Sequence, residues 1–250
     1  MSDDQNVNAM DECEKAEKAA TMFEKQDFST VGFWHKFGYS LRLTGWVLGI
    51  KLRQGFKRFF DLAVSLFALV LLSPIFIITA ILIKLDSPGS VFFKQTRVGK
   101  WGYLFGVYKF RSMYIDAEKR KQDLMKLNEA DGPVFKIRND PRITRVGRVI
   151  RKLSIDELPQ LINILKGEMT LVGPRPPLPR EVDQYQYHQR KRLDVVQGIT
   201  GLQQVSGRSD LDFEQWVAYD IEYIEKQSFW FDIKILLKTI PAVFTGKGAY

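Results

Sequence analysis

Between Asp61 and Lys84 the chain runs for 22 residues without a charge, LAVSLFALVLLSPIFIITAILI from Leu62 to Ile83. No other feature limits the fold as strongly. At about 1.5 Å per residue, a straight helix of that length matches the roughly 30 Å core of a bilayer. Ser73-Pro74 falls at its midpoint, where proline removes a backbone donor and crowds the Val70 carbonyl, so a kink is expected. The flanks are basic on both sides, with Lys51, Arg53, Lys57 and Arg58 before and Lys84, Lys94, Arg97 and Lys100 after. A spanning helix carries that excess on one side. Two topologies follow. Either the helix spans with a kink, or it dips in, turns at Ser73-Pro74 and returns, the Ser73 hydroxyl covering the freed carbonyl.

Charge is divided along the chain. The net of +8 hides a −5 segment over residues 1–30, so the remainder carries +13. A body that basic expects nucleic acid, acidic headgroups or phosphorylated small molecules. Residues 1–30 lack an apolar run after a basic start and read as a mobile acidic leader, not a secretory signal. Residues 31–55 read as an interfacial amphipathic segment: Phe33, Phe37 and Leu41 keep helical spacing, and Trp34 and Trp46 suit an interface. A short strand at Tyr39, Leu41 and Leu43 is the alternative, and Gly45 with Gly49 weakens a long helix. Downstream, Asp86-Ser87-Pro88-Gly89 signals a turn. Val91-Phe92-Phe93 and Leu104 through Phe110 read as strands joined through Gly99-Lys100-Trp101-Gly102, and 116–130 as a polar, solvated helix.

The available chemistry is narrow. One cysteine, Cys13, and two histidines, His35 and His188, leave no Cys- or His-based zinc site and disfavour a Ser-His-Asp triad. Metal chemistry must rest on carboxylates, which points to magnesium. Arg142, Arg145, Arg148 and Arg151 recur every third residue, and on a helix they spread over about half the circumference. Without interleaved aromatics such a run is a poor nucleic-acid surface, but arginine grips phosphates well. Ser154-Ile155-Asp156-Glu157 follows directly. Ser-x-x-Glu matches a capping box, although Pro159 would then lie beyond the first turn; Asp156 as the cap fits better. Neither reading explains adjacent carboxylates beside three or more arginines. That grouping suits phosphoryl transfer, with the arginines on a diphosphate, one carboxylate on magnesium and the other attacking phosphorus.

These stretches, together with KRFFD at 57–61, LLSP at 71–74, KFRSM at 109–113, the block at 139–176 and GITGLQQVSGR at 198–208, resemble the bacterial sugar transferase family, the monotopic phosphoglycosyl transferases. The resemblance covers residues 56–250. It implies transfer of a sugar-1-phosphate from a UDP-sugar to a polyprenyl (undecaprenyl) phosphate, with release of UMP, at the start of polysaccharide or glycoconjugate assembly. It assigns Asp156 as the nucleophile, Glu157 as the magnesium ligand, Arg151 to phosphate and Ser73-Pro74 to the membrane helix break. Residues 1–55 are too short and too polar for the four-helix module of longer members, so the short form is expected. The implied location is the cytoplasmic face of the bacterial inner membrane, among membrane lipids.

Other residues fit more loosely. Arg175, in Gly173-Pro174-Arg175-Pro176, is a second phosphate ligand or part of a structural turn, and Arg148 shares the basic run. Gly201, Gly207 and Arg208 approach the nucleotide or form a plain connection; Lys109 and Arg111 attract substrate anions or headgroups. Trp230, Ile233, Leu237, Ile240 and Phe244 form an apolar stripe, read as core packing with an interfacial helix as the competitor. The expected molecule is a mainly helical α+β enzyme, membrane-monotopic through one re-entrant hairpin (62–83) and interfacial amphipathic helices. A non-catalytic membrane scaffold is the alternative; nucleic acid is set aside and a homo-oligomer is left open.

Overall fold

The computed structural model describes residues 33–129, 132–135, 137, 139–207 and 211–245, so the acidic leader, Cys13 and Arg208 lie outside the described residues. The chain divides into two compact units, residues 1–55 and 56–250. In the first, the described residues form the start of a long helix, α1 (Phe33–Leu71), with Trp46, Leu48 and Leu52 exposed. The helical reading of residues 33–53 holds and the strand does not. Gly45 and Gly49 fail to interrupt the helix, because in this segment their missing side chains forfeit no packing.

In the second unit the uncharged run is two helices. α1 ends at Leu71, and α2 (Ser73–Asp86) starts with Pro74 in its first turn, where a missing N–H costs nothing. The Val70 carbonyl that Pro74 cannot serve accepts a hydrogen bond from the Ser73 hydroxyl at 2.8 Å. The helix pair bends by 59° at this break, and among the described residues no single helix is long and apolar enough to cross a membrane. Leu66, Phe67, Val70, Leu71, Ile77, Ile78 and Ile81 are all exposed, an apolar surface far above the scattered residues of a soluble domain.

KRFFD docks α1 onto the rest of this unit. The Arg58 guanidinium donates to the carbonyls of Ile164 and Leu165, the open C-terminus of α5 (Gln160–Lys166). Lys57 donates to the Val172 carbonyl and the Asp232 carboxylate; Asp61 accepts from the Thr170 hydroxyl and the Leu171 N–H. Thr170 and Leu171 belong to β3 (Thr170–Val172), which pairs in parallel with β4 (Gly198–Thr200). Around this centre Phe105, Val107, Leu161, Ile164, Leu171, Tyr223 and Ile235 form the main core, with Phe60, Val64, Ala68 and Leu69 of α1 packed against it.

The two predicted strands exist as an antiparallel hairpin, β1 (Phe92–Val98) and β2 (Leu104–Phe110), in a register that sets Phe92 against Phe110 and Val98 against Leu104. The polar helix is shorter than expected. α3 covers only Ala117–Lys121, followed by a 3₁₀ turn at Met125–Leu127. Further along are α4 (Arg145–Lys152), α6 (Pro179–Val182), α7 (Leu202–Ser206), α8 (Phe213–Lys226) and α9 (Phe229–Thr245). The apolar stripe of α9 is not its core face. Trp230, Leu237 and Ile240 are exposed, while Ile235, Leu236 and Phe231 face the core.

Candidate active site

The turn that carries Asp156 and Glu157 is built between two helices. Thr144 caps α4 by accepting from the Gly147 N–H at 2.9 Å. A Cβ at Gly147 would collide with the Ser112 carbonyl, so only glycine lets α4 approach the segment after β2 this closely. Arg151 lies in the last turn of α4. Ser154 then takes a left-handed conformation (φ 55°, ψ 19°), reversing the chain into a 3₁₀ turn at Ile155–Glu157. Ile155 packs against the small core of Ile83, Phe110 and Ile150, which fixes the turn from below.

Neither capping reading survives. The Ser154 side chain makes no cap bond, and α5 starts only at Gln160, behind Pro159 at φ −61°. Pro159 supplies the helical φ at the entry, which frees Asp156 and Glu157 from backbone duty. In a 3₁₀ turn successive side chains diverge by about 120°, so the two carboxylates have separate surroundings.

Those surroundings form a cleft of about 360 Å³ lined by the charged Arg97, Lys109, Arg151, Asp156, Glu157 and Arg175, together with Ser154 and the neutral Ile199, Thr200, Gln203, Leu236, Thr239 and Val243. Lys109 Nζ pairs with Glu157 Oε1 at 2.7 Å. Asn163, fully buried, aims Lys109 by tying β2 to α5: it accepts from the Tyr108 N–H and donates to the Gly106 carbonyl and Glu168. Arg97 donates to the Pro176 carbonyl and to Gln95 Oε1, and the Val98 N–H donates to the Pro177 carbonyl, so β1 holds the loop that presents Arg175. Gly173 and Gly198 approach so closely that a Cβ on either would strike the other strand's backbone. Arg175 stacks over the Trp216 ring at 5.8 Å.

The two carboxylates titrate apart. Burial pushes Asp156 up to about 6, reinforced by the negative charge of Glu157 and opposed by Lys109 and Arg151. Burial acts upward on Glu157 too, but Lys109, with Arg175 and Arg97 beyond it, overrides that and holds it at about 2. Burial and the neighbouring Arg175 bring the Arg97 guanidinium down to about 10. The turn thus carries a more acidic Glu157 and a more basic Asp156 in one cleft with Arg97, Lys109, Arg151 and Arg175.

Asp156, Glu157, Arg151, Arg175 and Lys109 therefore converge as expected. Arg111 and Arg148 do not. Arg111 is buried, and its guanidinium holds the Ser87 and Pro88 carbonyls of the turn after α2; Arg148 sits on the exposed face of α4, outside the cleft. Arg142 is spent as well, in a buried pair with Asp140 at 2.6 Å. Arg97, Asn163, Trp216 and the α9 wall went unread in the sequence, since only chain pairing brings them to the cleft. Among the described residues no cluster of three or more Asp, Glu, His or Cys could cage a metal. Two adjacent carboxylates with an open oxygen on Glu157 nonetheless fit magnesium, which keeps waters and takes substrate phosphate oxygens.

The profile of the bacterial sugar transferases matches residues 52–246. The chain belongs to this family. Its sequence is 47% identical over 194 residues to galactosyl transferase CpsE of Streptococcus agalactiae serotype III, covering 77% of this chain and 43% of that protein. It is 41% identical over 198 residues to the exopolysaccharide production protein ExoY of Sinorhizobium fredii, covering 78% and 88%. It is also 43% identical over 202 residues to the undecaprenyl-phosphate galactose phosphotransferase of Salmonella typhimurium, covering 78% and 41%. The chain thus spans less than half the length of the first and third relatives and most of the second. The family match contains the Asp156-Glu157 turn and the helix break at Ser73-Pro74.

Proposed function

We propose that this protein is an undecaprenyl-phosphate sugar phosphotransferase that moves a sugar-1-phosphate from a UDP-sugar to a polyprenyl phosphate and releases UMP. The observation that carries this is the Asp156-Glu157 turn, which lines one cleft with Arg97, Lys109, Arg151 and Arg175, Glu157 being paired with Lys109 at 2.7 Å. An Asp156 oxygen bonds to the sugar-bearing phosphorus of the donor, and the bond from that phosphorus to the bridging oxygen breaks, its electron pair leaving with UMP. The acyl phosphate retains transfer potential. An oxygen of the lipid phosphate then attacks the same phosphorus and returns Asp156 as a carboxylate. Arg151 and Arg175 hold diphosphate oxygens, and Lys109 keeps Glu157 ionised. Glu157 would hold magnesium, which would supply neutralising positive charge to the diphosphate.

A lipid acceptor requires a membrane site. The exposed apolar faces of α1 and α2 sit in the inner leaflet, and the break at Ser73-Pro74 returns the chain to the cytoplasmic face, with the exposed Trp230, Leu237 and Ile240 of α9 at the interface. The test is multiple-turnover UMP release by purified full-length protein, dependent on both magnesium and polyprenyl phosphate, together with a gain of one sugar-phosphate mass on incubation with donor alone. Release of more than one equivalent of UMP per enzyme without lipid phosphate, or an adduct that persists in Asp156→Asn, defeats the mechanism. A panel of UDP-sugars identifies the sugar.

A further inference from the structure

Two non-glycine residues have positive φ among the described residues, Trp101 and Ser154. Trp101 is at the exposed tip of the β1–β2 hairpin, where such turns are common. Ser154 is inside the cleft. Strain of this kind, held in place at a functional site, calls for an account.

The backbone gives none. The reversal from Arg151 into the catalytic turn is closed by main-chain bonds, Ser154 N–H to the Arg151 carbonyl at 3.0 Å and Glu157 N–H to the Ser154 carbonyl at 3.2 Å. Glycine would make both bonds without a Cβ penalty. Asn and Asp tolerate this conformation through local side-chain bonds, but the Ser154 hydroxyl makes no hydrogen bond to any described residue. It is not buried in the core either; it is half-buried in the cleft wall, three residues after Arg151 and two before Asp156. The side chain is therefore accounted for by what enters the cleft. A hydroxyl among guanidinium and ammonium groups, beside a carboxylate that attacks phosphorus, meets phosphate oxygens.

Resting on the phosphotransferase reading above, we propose that Ser154 is a further catalytic residue: its hydroxyl donates to a non-bridging oxygen of the phosphoryl group being transferred. It strengthens that contact as charge gathers on the oxygens, and no bond to Ser154 forms or breaks.

The test measures the rate of adduct formation from UDP-sugar, and the thermal midpoint, for Ser154→Gly and Ser154→Ala in full-length protein. The glycine variant should melt higher because strain is relieved, and the alanine variant should not. Both should lose roughly 100- to 1,000-fold in rate, mainly in kcat, the size expected for one donor to developing charge. A higher melting point in the glycine variant alone, with an equal loss in rate in both, separates the hydroxyl from the turn. A glycine variant within twofold of the wild-type rate overturns the proposal. So does an alanine variant that alone is slow, which would mean that the turn geometry is what matters. Wild-type protein that forms no adduct with any UDP-sugar overturns the parent reading, and this inference with it.

Discussion

Lys109 Nζ lies 2.7 Å from Glu157 Oε1, across 48 residues of sequence, and this pair separates the titration of two adjacent carboxyls. Lys109 favours the ionised form of both Asp156 and Glu157. Lys109→Met should therefore raise both. The expected outcome is a pH–rate profile whose half-maximal point moves upward and a maximal rate reduced at least tenfold, measured as UMP release. An unmoved midpoint would show that Lys109 does not set the charge of the turn.

Asp156 must be ionised to attack, so adduct formation should rise with pH through about 6 and level off above it. Stability runs the other way. The folded state binds this proton more tightly than an ordinary aspartate of 3.8, so between about pH 4 and 6 the native state holds more protons and stability falls as pH rises. Asp156→Asn should abolish the adduct, raise the thermal midpoint at pH 7 and flatten that part of the pH–stability curve.

Arg97 clamps the loop that carries Arg175 through the Pro176 carbonyl and is itself anchored to Gln95. Arg97→Lys keeps a charge but loses the fork, so it should not rescue Arg97→Gln. Steady-state kinetics should show KM for the donor raised roughly tenfold in both variants, in line with the loss of a charge-assisted bond of about 1.5–3 kcal/mol. Normal KM in the lysine variant would mean that only charge matters there.

Lys57 and Asp232 are paired at 2.5 Å with Tyr223 on the other carboxylate oxygen, and burial already raises Asp232. Lys57→Met strands a buried carboxylate and should cost about 3 kcal/mol, read as a lower denaturant midpoint. Adding Asp232→Asn should recover part of it. No recovery in the double variant would place the loss in the packing of α1.

The helix break predicts topology. Cysteines near Arg58 and Lys94, in a Cys13→Ser background, should be labelled from the same side of sealed membranes. Replacing Ser73-Pro74 by Ala-Leu restores the missing donor and should convert the segment toward spanning, with loss of activity. Opposite-side labelling of the unaltered pair would defeat the re-entrant proposal.

Local chemistry was readable directly from the chain. Pro74 dictated the break between α1 and α2 and Ser73 its repair, since both act within one helical turn. Gly167, left-handed at φ 86°, ended α5, and glycines 99 and 102 bracketed the hairpin turn. The adjacency of Asp156 and Glu157 and the reach of Arg151 likewise lie within a single turn. What the sequence left open was everything decided by partners far along the chain. Arg111 and Arg142 looked as available as Arg151 and Arg175, because a guanidinium reads the same in sequence whether it meets a loop carbonyl, a buried carboxylate or an open cleft. Capping was misread because Ser154 and Asp156 satisfy a helix-start pattern that Pro159 postpones to Gln160. The stripe on α9 was apolar on its outer face, and periodicity alone cannot say which apolar face meets the core. Those choices depend on burial and on charges 48 to 175 residues apart, which exist only once β1, β2 and α9 have closed around the catalytic turn.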